Sequence, residues 1–126
     1  MRKIVWFRFD LRTEDNYAYQ NACRDGEVLP VFIYDKDFWR LPTSSSFHLQ
    51  FTEDSLVDLK DELNKKNQAN LVTFYGNTIE ILKELIEKFS IQEIYSNKVY
   101  KNKYLLDLDE QCKNLFNEKS VAWKQY

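Results

Sequence analysis

The chain has 126 residues, 18 Lys and Arg against 20 Asp and Glu, a formal charge of -2, and aromatic side chains at 16% of positions. One hydrophobic core fits that length and two do not, while so many rings exclude a disordered chain. Gly26 and Gly76 are the only glycines, which rules out glycine-rich phosphate loops, and the charge supplies no basic field for sequence-independent nucleic-acid binding.

Lys3 to Phe9 opens the chain as a β-rich apolar run and predicts the first strand. Asn16 to Arg24 follows as a short helix, capped by Thr13 or Asp15 and stopped at Gly26, where a left-handed residue suits the C-terminal turn. Val28 to Tyr34 is the second strand. Behind the Ser44, Ser45, Ser46 run, which offers an N-cap, Phe47 to Asn64 carries Phe47, Phe51, Leu56, Leu59 and Leu63 as the apolar stripe of a long helix. Asn70 to Tyr75 is the third strand. Ile79, Leu82, Ile86 and Phe89 form the next helical stripe, with Asn77 and Glu80 placed as a capping box. Gln92 to Ser96, a stripe from Leu105 through Leu108 and Cys112 to Phe116, and Ser120 to Lys124 complete five strands and four helices.

Strict β-α alternation of this kind calls for parallel strands joined by right-handed crossovers. The predicted fold is α/β, three-layered and Rossmann-like: a five-stranded parallel sheet of order 3-2-1-4-5 with helices on both faces, in one domain spanning 1–126. Ligands of such sheets sit beyond the carboxyl ends of the strands, where the strand order reverses. That rule selects Asp10 and Arg12 after the first strand, Asp35 and Phe38 after the second, and Asn97 and Tyr100 after the fourth, with Asp10 and Arg12 facing Asn97 and Tyr100. The competing structural readings are an Asp10–Arg12 ion pair and a docking loop at Phe38 and Trp39.

No nucleophile–base pair stands out, so the chain alone is not read as an enzyme. A phospho-acceptor domain of similar length needs an Asp after the third strand, where Tyr75, Gly76 and Asn77 stand instead. His48 is the single histidine, and with separated cysteines no metal-ligand spacing exists. Cys23 and Cys112 read as free thiols on apolar helix faces, in keeping with a reducing, cytoplasmic setting, and the N-terminal apolar run is too short for a signal peptide or membrane span.

Val5-Trp6-Phe7-Arg8-Phe9-Asp10-Leu11-Arg12, followed by Asp15-Asn16 and Ala18, resembles the opening of the photolyase/cryptochrome family. Leu29 to Asp35 is similar to that family's second strand, Phe51 with Ser55, Leu56 and Leu59 to its next helix, and Ile94 to Asn97 with Tyr100 to its fourth strand and loop. Departures stand at His48, where an Arg is common, and at Asn102, where a Pro is.

The resemblance implies an N-terminal α/β domain that binds an antenna chromophore (a folate, a deazaflavin or a flavin) and supports light-driven DNA repair. The FAD-binding helical domain, with its tryptophan electron-transfer chain, is absent from this chain and is the implied partner. Damaged DNA is met through that parent protein only, and Trp6, Trp39 and Trp123 match none of the electron-transfer positions. Asp10, Arg12, Asp35 and Asn97 are then candidates to fix ring edges, and Phe38 and Tyr100 to stack. A docking domain without chromophore and a blue-light photoreceptor domain are the alternatives.

Overall fold

The computed structural model describes residues 2–25, 27–40, 46–67, 70–99 and 103–126. Its strands are β1 (Lys3–Phe7), β2 (Val28–Asp35), β3 (Val72–Gly76), β4 (Glu93–Ser96) and β5 (Ala122–Gln125), and its helices are α1 (Tyr17–Ala22), α2 (Ser46–Asn67), α3 (Thr78–Phe89) and α4 (Lys103–Glu118). All strand pairs are parallel, in the order β3-β2-β1-β4-β5. The predicted sheet is therefore the observed one.

Alternation along β1 divides the core in two. Ile4 and Trp6 face α3 and α4, together with Val31, Leu82, Ile94, Leu115 and Phe116. Val5 and Phe7 face α1 and α2, packing with Ala18, Phe32, Leu59 and Leu63. Leu59 and Leu63 are wholly buried, and burying each such side chain contributes about 1.5–3 kcal/mol. Trp6 and Trp123 lie 6.2 Å apart between ring centroids, and Trp123 meets Phe116 edge-on at 5.1 Å. Both tryptophans serve strand packing.

Several boundaries differ from the sequence reading for identifiable reasons. Asn16, expected inside the first helix, is its N-cap and accepts from the Tyr19 amide at 3.0 Å. Thr13 instead donates its hydroxyl to Glu62 at 2.8 Å, and Asp15 sits at φ 51°, off the extended geometry a cap needs. The helix ends in a 3₁₀ turn, Cys23–Asp25, so Cys23 is only half-buried while Cys112 is fully buried. Burial pushes the Cys112 thiol up to about 12. Gly26, the expected stop, lies outside the described residues, as do Ser44 and Ser45.

Phe51 does not join the α2 stripe: it is 67% exposed. Five residues before Leu56 place it about 140° around the helix at 100° per residue. Phe9 is likewise outside β1 and 53% exposed, since the chain bends after Phe7. At the other end of the chain, β5 starts two residues later than the expected Ser120 and ends one later, at Gln125, because Ser120 turns at φ 58°. The Asn77 cap of α3 forms as expected, accepting from the Glu80 amide at 3.0 Å.

Candidate functional site

A cavity of about 640 Å³ opens at the carboxyl ends of β1 and β2. That volume lies within the roughly 300–1,000 Å³ usual for small-ligand sites. Residues 8–12 after β1, Asp35 at the end of β2, and Phe38 and Trp39 beyond it form its floor and one wall, and Phe51, Thr52 and Ser55 of α2 face Leu105 and Leu108 of α4 across it. Asp10, Arg12, Asp35 and Phe38 line it as the loop rule expects.

Asp35 is a structural hub. Its Oδ1 accepts from the amides of Asp37 and Phe38 at 3.1 and 2.9 Å and from the Tyr104 hydroxyl at 2.5 Å, while its Oδ2 accepts from the Thr78 hydroxyl at 2.5 Å. These bonds tie β2 to the 3₁₀ turn Phe38–Arg40, to α3 and to α4. Burial, together with the carboxylate beside it, pushes the Tyr104 phenol above its usual range. Four donors on two oxygens leave Asp35 little capacity for a ligand.

Asn97 reaches Asp10 as the topology predicts, and in doing so it closes the crevice between β1 and β4. Its amide nitrogen donates to Asp10 Oδ2 and, at 2.7 Å, to Asn16 Oδ1, while its oxygen accepts from the Ala18 amide at 3.1 Å. The described wall of the cavity lies toward β2 and does not include Asn97. Tyr100 lies outside the described residues, as does Asn102, and the side chain of His48 is not described.

Arg12 and Asp10 do not form the ion pair weighed from their spacing. Arg12 donates instead to the carbonyls of Glu14 and Asp15 at 3.1 and 3.3 Å. Phe38 stands at the centre of a ring cluster, 5.5 Å from Phe9, 5.3 Å from Trp39 and 6.1 Å from Tyr104 between centroids. The ring planes are tilted or edge-on to one another, at 56°, 89° and 51°, and Phe9, Phe38 and Trp39 give the cavity an apolar wall.

Arg8 escaped the selection by loops because the sequence reading ran the first strand to Phe9, whereas β1 ends at Phe7. Its side chain is 3% exposed, it lines the cavity, its guanidinium lies 4.3 Å from the Trp6 ring centre, and Nη1 is 2.8 Å from Asp109 Oδ1. The signal for it was the alternation Ile4, Trp6, Arg8, which puts a cation on the buried face of the sheet. Thr52 and Ser55 of α2 and Leu105 and Leu108 of α4 were also missed as wall residues, since only the tertiary fold brings the two helix starts together.

Among the described residues no cluster of His, Cys, Asp and Glu could hold a metal, and no helix is long and apolar enough to cross a membrane. The residues present do fit a planar aromatic chromophore: a cavity of suitable size, a ring wall around Phe38, and a buried guanidinium at the floor.

The family model for DNA photolyase matches residues 3–126. The cryptochrome DASH of Arabidopsis thaliana, a chloroplastic/mitochondrial protein, is 32% identical over 102 residues, covering 75% of this chain and 18% of that one. The deoxyribodipyrimidine photo-lyase of Buchnera aphidicola is 29% identical over 107 residues, 79% of this chain and 22% of that one. Among solved structures, the archaeal photolyase of Sulfolobus tokodaii, described with two FAD molecules and the implication of a novel light-harvesting cofactor, superposes with a TM-score of 0.85. It is 32% identical and matches 100% of this chain and 29% of its own. A Synechocystis cryptochrome, at 20% identity and a TM-score of 0.90, shares the fold. The chain spans about a fifth of the length of the curated relatives it matches. With β1, its DLR turn and the Asn16–Asn97 network all inside the matched region, the chain belongs to the DNA photolyase family.

Proposed function

We propose that this chain is the antenna-chromophore module of a photolyase or cryptochrome, an N-terminal domain that works beside an FAD-binding helical domain. The observation that carries the reading is the cavity of about 640 Å³ walled by the Phe9, Phe38 and Trp39 rings, with Arg8 at its floor. A chromophore bound there absorbs near-UV or blue light and passes excitation to a flavin. The chain's own residues keep water out and fix the orientation of the ring system.

Phe38 supplies the stacking face, and Asp35 holds it by accepting the Phe38 amide. Asp10, held by Asn97, and Arg12 form the polar rim. Tyr100 is assigned to stacking on the sequence alone. Folate, deazaflavin and flavin are the chromophore classes, and the Sulfolobus tokodaii relative with its two FAD molecules favours a flavin. FAD-driven repair of pyrimidine dimers, the meeting with damaged DNA, and the choice between repair and photoreception belong to the helical domain. Neither Cys23 nor Cys112 forms a disulfide, which suits a reducing cytoplasm.

The test is a fluorescence titration of the chain with FMN, an 8-hydroxy-5-deazaflavin and a methenyl-folate. One of them binds saturably at one equivalent, and Ser55→Trp, which fills the cavity from α2 without altering the far-ultraviolet circular dichroism, abolishes it. Absence of saturable binding refutes the reading. It favours instead a docking domain, which has its own support: Phe9, Phe51 and Leu106 are exposed, and Asp35 and Asn97 spend their polar groups internally.

A further inference from the structure

The outer strands of the sheet, β3 and β5, each keep one hydrogen-bonding edge with no neighbouring strand among the described residues. An open edge is a template for pairing unless charge, proline or a bulge protects it. In β3 the Gly76 carbonyl accepts from the Lys36 amide at 3.0 Å. Strand alternation then turns the backbone groups of Val72 and Phe74 toward β2 as well, and those of Thr73 and Tyr75 outward. The strand, of sequence VTFYG, has no charge and no proline. One of its faces is also bare. Thr73 and Tyr75 are in register with Phe32 and Tyr34 on the α2 side of the sheet, yet Leu56, Leu59 and Leu63 of α2 pack with Val5, Phe7 and Phe32, and no β3 residue joins that cluster. Thr73 is exposed, and Tyr75 is 70% exposed. At β5 the Tyr126 amide donates to the Ser96 carbonyl, so the outward groups there are those of Trp123 and Gln125, with the Lys124 cation between them.

We propose that β3 is a self-pairing edge, through which two copies of this chain join antiparallel about a two-fold axis at Phe74 and merge their five-stranded sheets into one. A second copy is the occupant because the edge is complementary to itself. With Phe74 opposite Phe74 of the second copy as a non-hydrogen-bonded pair, Thr73 lies opposite Tyr75 and Tyr75 opposite Thr73. Those are the residues whose amides and carbonyls point outward, so each amide meets a carbonyl and the antiparallel ladder closes. On the face that α2 leaves bare, each Tyr75 ring covers the Thr73 across from it, an aromatic on a β-branched side chain. The contact is isologous and stops at two copies. No like charges meet in it, whereas the same arrangement at β5 sets Lys124 against Lys124. No β3 residue lines the cavity, so the pairing stands apart from the antenna reading.

The experiment is analytical ultracentrifugation of the 126-residue chain over a dilution series starting at about 1 mM. The native chain shows a concentration-dependent monomer–dimer equilibrium, and hydrogen exchange at the Thr73 and Tyr75 amides slows as the dimer fills. Two variants, Thr73→Lys/Tyr75→Lys and Thr73→Glu/Tyr75→Glu, change exposed side chains only and leave the far-ultraviolet circular dichroism as it is. Each sets like charges across the axis and weakens self-association by about tenfold or more. Mixed in equal amounts, the two variants pair with each other at least as tightly as the native chain pairs with itself, because each introduced cation then faces an introduced carboxylate. A native chain that stays monomeric at about 1 mM overturns the proposal. So does a dimer that both variants leave intact, which lies on another surface, and so does a mixture of the two variants that fails to reassociate.

Discussion

Replacing Asp35 by Ala removes the one side chain that holds β2, the Phe38 turn, α3 and α4 together at the cavity wall. Two amides and two hydroxyls lose their acceptor at once. Hydrogen bonds to a charged group contribute about 1.5–3 kcal/mol each, but such losses are not additive within one network. The hydroxyl of Thr78 is buried, whereas water can reach part of the Tyr104 and Asp37 side. Counting two of the four losses fully gives about 3–6 kcal/mol. At roughly 3 °C per kcal/mol for a domain of this size, the midpoint of thermal unfolding falls by about 9–18 °C. Circular dichroism melts and urea curves on Asp35→Ala and Asp35→Asn measure it, and Asn, which keeps one acceptor oxygen, loses about half as much. A drop below about 3 °C for Asp35→Ala, under 1 kcal/mol by the same scale, would refute the hub assigned to this carboxylate.

Three further predictions bear on separate elements. Ser90 ends α3 in the left-handed region at φ 53°, so Ser90→Gly raises stability by about 0.5–1 kcal/mol, and a urea midpoint that falls contradicts the strain argument. Asn97→Leu leaves the Ala18 amide and Asp10 Oδ2 without their partner, takes one of two donors from Asn16 Oδ1, and costs about 2–4 kcal/mol, which chemical denaturation resolves. Tyr104 holds its proton more tightly when folded, first through burial and then through Asp35. A folded pKa above the unfolded value of about 10 means stability complete below pH 10 and falling above it, by up to about 1.4 kcal/mol per pH unit for this phenol. Tyr104→Phe flattens that alkaline slope in urea titrations between pH 9 and 11.

The sheet was legible because its signals are local and repeated. Lys3 to Phe9 and Val28 to Tyr34 read as buried strands, and the order 3-2-1-4-5 expected of the alternation is the observed one. Caps were less legible. Thr13 and Asn16 both have the chemistry of an N-cap, and only the distant Glu62, which takes Thr13, decides between them. The loops of the site followed from topology, so Asp10, Arg12, Asp35 and Phe38 came out on the cavity. What their polar groups do there did not follow, because the partners of Asp35 and Asn97 come from elements far away in sequence, at Thr78, Tyr104, Asn16 and Ala18. Arg8 was passed over for the opposite reason. A charged residue beside an apolar strand reads as its solvent end until α4 brings Asp109 to it.

Amide chemical-shift mapping of the labelled chain during titration with FMN checks the proposal that the space between α2 and α4 holds a planar chromophore. Saturable shifts are expected to concentrate at residues 8–12 and at Asp35, Phe38, Trp39, Phe51, Thr52, Ser55, Leu105 and Leu108, which line the cavity. Shifts that do not saturate, or that gather on the exposed β3 edge around Tyr75 instead, would contradict it.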